Sequence, residues 1–138
     1  MVVNTALVVA TGALQMLAQF ALGRIFGSLP ALGPGALAAP RRMIRSTATV
    51  VVLMSNHLLQ VTLWAWRYYE LGELGDFNNC FYFSLASFTT VGASELVLSP
   101  AHRMTGALEA ATGMLMFGWS TALLVEILNR IDRGRASG

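Results

Sequence analysis

Few side chains in this sequence are equipped for chemistry, and their spacing limits what that chemistry is. Glu109 and Glu126 lie 17 positions apart in one apolar run, which is about 25 Å along a helix axis. They cannot share a substrate as paired catalytic carboxyls do at about 5–9.5 Å. Cys80 is the only cysteine, so no disulfide framework or multi-cysteine metal site is open to the chain, and a small packed residue is expected there. His57 sits mid-run beside Asn56 and Gln60 with no carboxylate near it in sequence. It reads as a satisfied packing histidine or as a proton-sensitive group. No nucleophile–base arrangement is present. What remains is Phe88-Thr89-Thr90-Val91-Gly92-Ala93-Ser94-Glu95, a hydroxyl-rich segment with one glycine held between two apolar runs.

The elements that must position this segment follow from composition. Of 138 residues, 55% are hydrophobic and 12% charged, too few charges for the surface of a small soluble domain. Three runs are long enough to cross a bilayer: Val2 to about Phe26, Ser46 to about Tyr69, and Met104 to about Asn129. Each would extend roughly 36–39 Å as a helix against a hydrocarbon core of about 30 Å. A signal peptide is the lesser alternative for the first run, which lacks a basic leading region and is followed by positive charge. Between the first two runs, the glycines and prolines from Gly27 to Gly35, and on to Pro40, read as a linker. One all-α membrane domain without a soluble appendage is expected.

Every basic residue is arginine, and the net charge is +2. Arg24, Arg41, Arg42 and Arg45 lie between the first and second runs, and Arg130, Arg133 and Arg135 follow the third. The positive-inside rule puts both clusters in the cytoplasm, with the N-terminus and the 88–95 segment outside. These arginines lack the interleaved aromatics of a nucleic-acid surface. On the first run Asn4, Thr11, Gln15 and Gln19 share a face, a pattern that marks a helix–helix contact or, less simply, a substrate path. Trp64, Trp66, Tyr68 and Tyr69 read as an interfacial aromatic belt.

After the acidic turn from Glu70 to Asp76, either Asp76 or Asn78 can cap a short helix ending near Phe88. At about 16 Å it is too short to span, and it suits a re-entrant element. Thr90 to Ser94 would then lie at membrane depth, where irregular backbone is tolerated only against protein or a water-filled cavity. The partly negative C-terminal end of the short helix favours a cation there.

FTTVGASE resembles TTVGYGD, the filter signature of tetrameric potassium channels, in which successive backbone carbonyls replace an ion's water shell. FYFSLASFTTVGASE followed by GMLMFGWSTALL is similar to the pore helix, filter and inner helix of bacterial two-transmembrane potassium channels. The resemblance covers about Thr47 to Leu128 and leaves the first run outside it. It implies a homotetramer with a potassium-channel-like pore, conducting potassium and possibly sodium. The backbone oxygens of Thr90, Val91 and Gly92, continued by Ala93 and Ser94, would hold the monovalent cation, and Glu95 would form part of an acidic ring at the outer mouth. Gly113 falls at the inner-helix hinge; Met114, Phe117, Thr121 and Val125 fall on the cavity side, with Glu126 at its mouth as a cation-attracting ring or a snorkelling surface residue. Ala93 replaces the family's aromatic and Ser94 its second glycine, where positive φ costs a residue with a Cβ about 1–2 kcal/mol. Ala86 replaces the acidic pore-helix partner of Glu95. Thr90 to Gly92 is expected to carry no such conflict, and Glu109 to bond the backbone around the filter.

The domain plan expected is a first helix and basic linker over 1–45, a pore domain over 46–130 and a short cytoplasmic tail over 131–138. No cofactor beyond permeant ions is implied, and the partners are further copies of the chain in a homotetramer, lipids and monovalent cations. A pore-like subunit that does not conduct and instead joins another channel is the alternative kept open by Ala93 and Ser94.

Overall fold

The apolar runs become helices because in lipid only helical backbone satisfies its own hydrogen bonds. A computed structural model describes residues 2–27, 38–92 and 95–133. Among these the architecture is all-helical: α1 (Val2–Gly27), α2 (Ala38–Leu71), the short α3 (Phe77–Phe88) and α4 (Arg103–Arg133). Three segments are long and apolar enough to cross a membrane: Asn4–Ile25, Ala39–Leu71 and Arg103–Asn129.

α2 departs from the expected span. It starts at Ala38, eight positions before Ser46, and carries Pro40 in its first turn, where a missing N–H removes no intrahelical bond. Pro40, Arg41, Arg42 and Arg45 therefore ride on helix, and positions 28–37 of the expected linker lie outside the described residues. With 34 residues, α2 reaches about 51 Å, so roughly 20 Å stands beyond the hydrocarbon core. Gly72, at φ +65°, stops the helix in the left-handed conformation usual after a last turn.

α1 lies against both α2 and α4 through its polar face. Asn4 Nδ2 donates to Thr105 Oγ1 at 2.9 Å, and Trp119 Nε1 donates to Gln19 Oε1 at 3.0 Å. Between them Gln15 is fully buried: its Oε1 accepts from Asn56 Nδ2 at 2.7 Å and Gln60 Nε2 at 3.1 Å, and its Nε2 donates to Ser120 Oγ at 2.7 Å. Asn4, Gln15 and Gln19 thus make the helix–helix contact that their spacing suggested, and Thr11 caps its own helix backbone by donating to the Leu7 and Val8 carbonyls. Below this ladder Leu22, Leu53, Leu123 and Ile127 close the bundle.

The main core lies where α2, α3 and α4 meet, built on Val61, Trp64, Ala65, Tyr68, Cys80, Phe83, Phe88 and Met116. This corrects the aromatic belt. Trp64 and Tyr68 are fully buried, whereas Trp66 and Tyr69 are exposed. Residues four apart share a helix face and those two apart do not, so only Trp66 and Tyr69 are available to an interface.

Candidate pore segment

α3 begins at Asp76, the N-cap, whose Oδ1 accepts from Asn79 N at 2.8 Å. A cap of this kind stabilises a short helix by about 1 kcal/mol. Ser84, Ala86, Phe83 and Phe88 face the core, so α2 and α4 fix the direction in which the helix ends.

Its ending shapes the candidate filter. Thr89 N donates to Leu85 O at 3.1 Å, Thr90 N to Ser87 O at 2.9 Å and Gly92 N to Ala86 O at 3.0 Å. The Thr89 hydroxyl also donates to Leu85 O at 2.7 Å. Thr90 stands at φ +63° and Gly92 at φ +80°. Thr90 is therefore in the left-handed conformation that closes a helix, usually a glycine's position. For a β-branched residue this is an outlier costing about 1–2 kcal/mol. The expectation that Thr90 to Gly92 carries no backbone conflict is corrected: winding the end of α3 onto its own carbonyls forces one at Thr90. Thr90 and Gly92 are exposed, and Val91 is 80% exposed. Ala93 and Ser94 lie outside the described residues. Glu95 is exposed.

α4 backs this segment. A Cβ on Gly113 would lie 2.0 Å from Phe88 O and 2.8 Å from Phe88 C, so the glycine is what lets α4 touch the C-terminus of α3. Met114, Thr121, Val125 and Glu126 are exposed along α4. Phe117 is set apart from that row. It is half-buried, with its ring centroid 4.6 Å from that of His57 and 5.7 Å from that of Phe88. His57 itself is buried, with Nε2 3.0 Å from Ser120 Oγ, which places a packed histidine between α2, α3 and α4.

Glu109 is fully buried, and its partners are side chains rather than the backbone around the filter. Tyr68 Oη donates to Oε2 at 2.6 Å, and Ser84 Oγ is in hydrogen-bond contact with Oε1. The expected backbone bond is corrected because α4 presents Glu109 toward the middle of α3 and not toward its end. Ser84 and Ser120 are residues that sequence reasoning did not single out, and Tyr68 it read as interfacial rather than as a partner of Glu109. A carboxyl inside an apolar run needs hydroxyl partners, but which helix supplies them is not written in its neighbours.

Just beyond the end of α2, Glu73 clamps the loop before α4. Its carboxylate accepts from Ser99 N at 2.7 Å and from Ser99 Oγ at 2.8 Å, and lies 2.5 Å from His102 Nδ1. The Ser99 N–H and hydroxyl, followed by His102, hold this carboxyl below the usual carboxylate range.

α3 is thus a short helix inserted between two long ones, with an exposed segment at its end. A profile of the family described as ion channel matches residues 56–130, more than half of the 138. The chain belongs to this ion channel family. The match runs from the middle of α2 through α3 and the 88–95 segment to α4, and α1 lies outside it. No curated protein and no solved structure matches the chain.

Proposed function

We propose that four copies of this channel chain surround a common axis and pass potassium, and less readily sodium, through a filter formed by Thr90, Val91, Gly92, Ala93 and Ser94. One observation carries the reading. Three of the N–H groups of residues 89–92 are committed to α3, so this exposed segment offers chiefly carbonyl oxygen. Oxygen is the ligand of hard cations, and a ring of such carbonyls replaces hydration water. A single chain leaves the segment open. Copies arranged around it would supply the protein-lined surroundings that irregular backbone requires at membrane depth.

On this reading Glu95 rings the outer mouth, and Met114, Thr121, Val125 and Glu126 line the inner cavity with Gly113 at the bend. The arginine bias orients the pore in the plasma membrane with the filter and N-terminus outside and the C-terminus in the cytoplasm. The pairing of Asn4 with Thr105 supports a common side for the N-terminus and the start of α4. Loss of the aromatic at 93 and of glycine at 94 loosens the carbonyl ring, and discrimination between potassium and sodium weakens.

The test is the permeability ratio of purified protein in liposomes, with and without Ala93→Tyr and Ser94→Gly together. Restoring both residues should increase potassium over sodium. A wild-type protein that already excludes sodium strongly refutes the role given to these positions. A wild-type protein that passes nothing, beside a restored form that conducts, favours a non-conducting subunit. Particle mass in detergent should correspond to four chains; monomers or dimers alone would contradict the assembly.

A further inference from the structure

The contacts around Glu109 contain more acceptors than an ionised carboxylate allows. Ser84 Oγ lies 2.8 Å from Val61 O and in contact with Glu109 Oε1, yet a serine hydroxyl has one proton to donate. Val61 O has no proton to give. If Ser84 donates to Val61, then Oε1 and Oγ face each other as two acceptors unless the carboxyl carries a proton. If Ser84 donates to Oε1, its contact with Val61 O holds none. A proton on Oε2 does not help, because Tyr68 Oη is the neighbour of that oxygen.

One arrangement satisfies all three contacts: Tyr68 O–H to Oε2, Oε1–H to Ser84 Oγ, and Ser84 O–H to Val61 O. We propose that Glu109 is a neutral carboxylic acid with its proton on Oε1, and that it is the positioning residue fastening α3 to α2 and α4. Its surroundings agree. Glu109, Ser84 and Tyr68 are each fully buried, and a buried carboxylate without a counter-charge is strongly disfavoured. Tyr68 is the titratable group facing it from α2, α3 offers only the Ser84 hydroxyl, and His57 is committed to Ser120. The chain Tyr68–Glu109–Ser84–Val61 therefore joins three helices by neutral hydrogen bonds and holds α3 at its middle.

Infrared spectra of the full-length protein test the proton directly. Wild type at neutral pH should show the carbonyl band of a protonated carboxylic acid, lost in E109Q; superimposable spectra in that region would overturn the proposal. The amide of E109Q can donate to Ser84 and accept from Tyr68, so this variant should keep the thermal midpoint of wild type, whereas E109A should lose stability. An E109Q protein that fails to fold, or that loses as much as E109A, refutes the neutral brace. The flux readout alone rests on the pore reading: E109Q should stay within about twofold of wild-type permeability ratios, since both bonding partners are preserved. The infrared and stability arms need no ion conduction, so a failed pore reading and a failed proton assignment are told apart.

Discussion

Gly113→Ala sets two effects of opposite sign against each other. Alanine is favoured over glycine in a helix interior by about 1 kcal/mol, and Gly113 lies within α4, so propensity alone predicts a more stable protein. Packing predicts the reverse. The new Cβ would fall 2.0 Å from Phe88 O, where contacts under 3.0 Å do not occur, with Phe88 C and Cα at 2.8 and 3.0 Å. These are backbone atoms at the last turn of α3, so no rotamer change relieves them, and the two helices must separate by about 1.4 Å or more to restore an ordinary contact. Overpacking of this kind typically costs about 1–3 kcal/mol, occasionally more, and a clash with fixed backbone belongs at the upper end. Packing therefore wins by roughly 1–2 kcal/mol per chain. Because Phe88 directly precedes Thr89 and the capped segment, the displacement reaches the candidate filter. The assay is denaturant unfolding in detergent together with the potassium-to-sodium permeability ratio in liposomes. G113A should unfold earlier and discriminate less. A G113A protein as stable as wild type, or more stable, would refute the close approach.

Gln15→Leu removes the partner shared by Asn56, Gln60 and Ser120 and should cost about 2–6 kcal/mol, given roughly 0.6–2 kcal/mol for each of the three interhelical bonds in a membrane. Unfolding in detergent measures it, and an unchanged midpoint would show that the bonds made by Gln15 do not hold α1. Glu73 is depressed in the folded protein, so its contribution is complete above the ordinary carboxylate value of about 4.3 and lost as pH falls through the folded value. The midpoint difference between wild type and E73Q should accordingly shrink from about pH 7 to about pH 3; a constant difference contradicts the clamp. Thr90→Gly relieves the left-handed threonine, a gain of about 0.5–1 kcal/mol after glycine's entropy cost, while potassium selectivity falls. Unfolding and flux on one preparation check both, and a destabilised T90G would remove the strain from the account.

Much of the fold is legible because it rests on length and local pattern. The three spans follow from apolar runs, Asp76 from its place before a short apolar helix, and the polar face of α1 from the spacing of Asn4, Gln15 and Gln19. The rest depends on what meets what. Pro40 signals a break only if it falls beyond a first turn. Trp64 and Tyr68 look interfacial as a cluster, but their spacing turns them inward while Trp66 and Tyr69 turn out. Thr90's left-handed backbone comes from three N–H groups winding back onto α3, a property of the helix end rather than of threonine. Gly113 as a contact point and Glu109 as a bonded carboxyl require α3 to be placed against α4. At the site the segment 88–92 is marked by its own residues, whereas the partners that brace α3 behind it, Tyr68 on α2 and Glu109 on α4, come from distant stretches of chain.

The central claim is that this chain alone forms a cation path through the segment at the end of α3. The most direct measurement is ion flux from liposomes holding only the purified protein, with potassium or sodium as the sole permeant cation. The account predicts potassium efflux above that of empty liposomes, with sodium slower but measurable. No flux of either cation would contradict it.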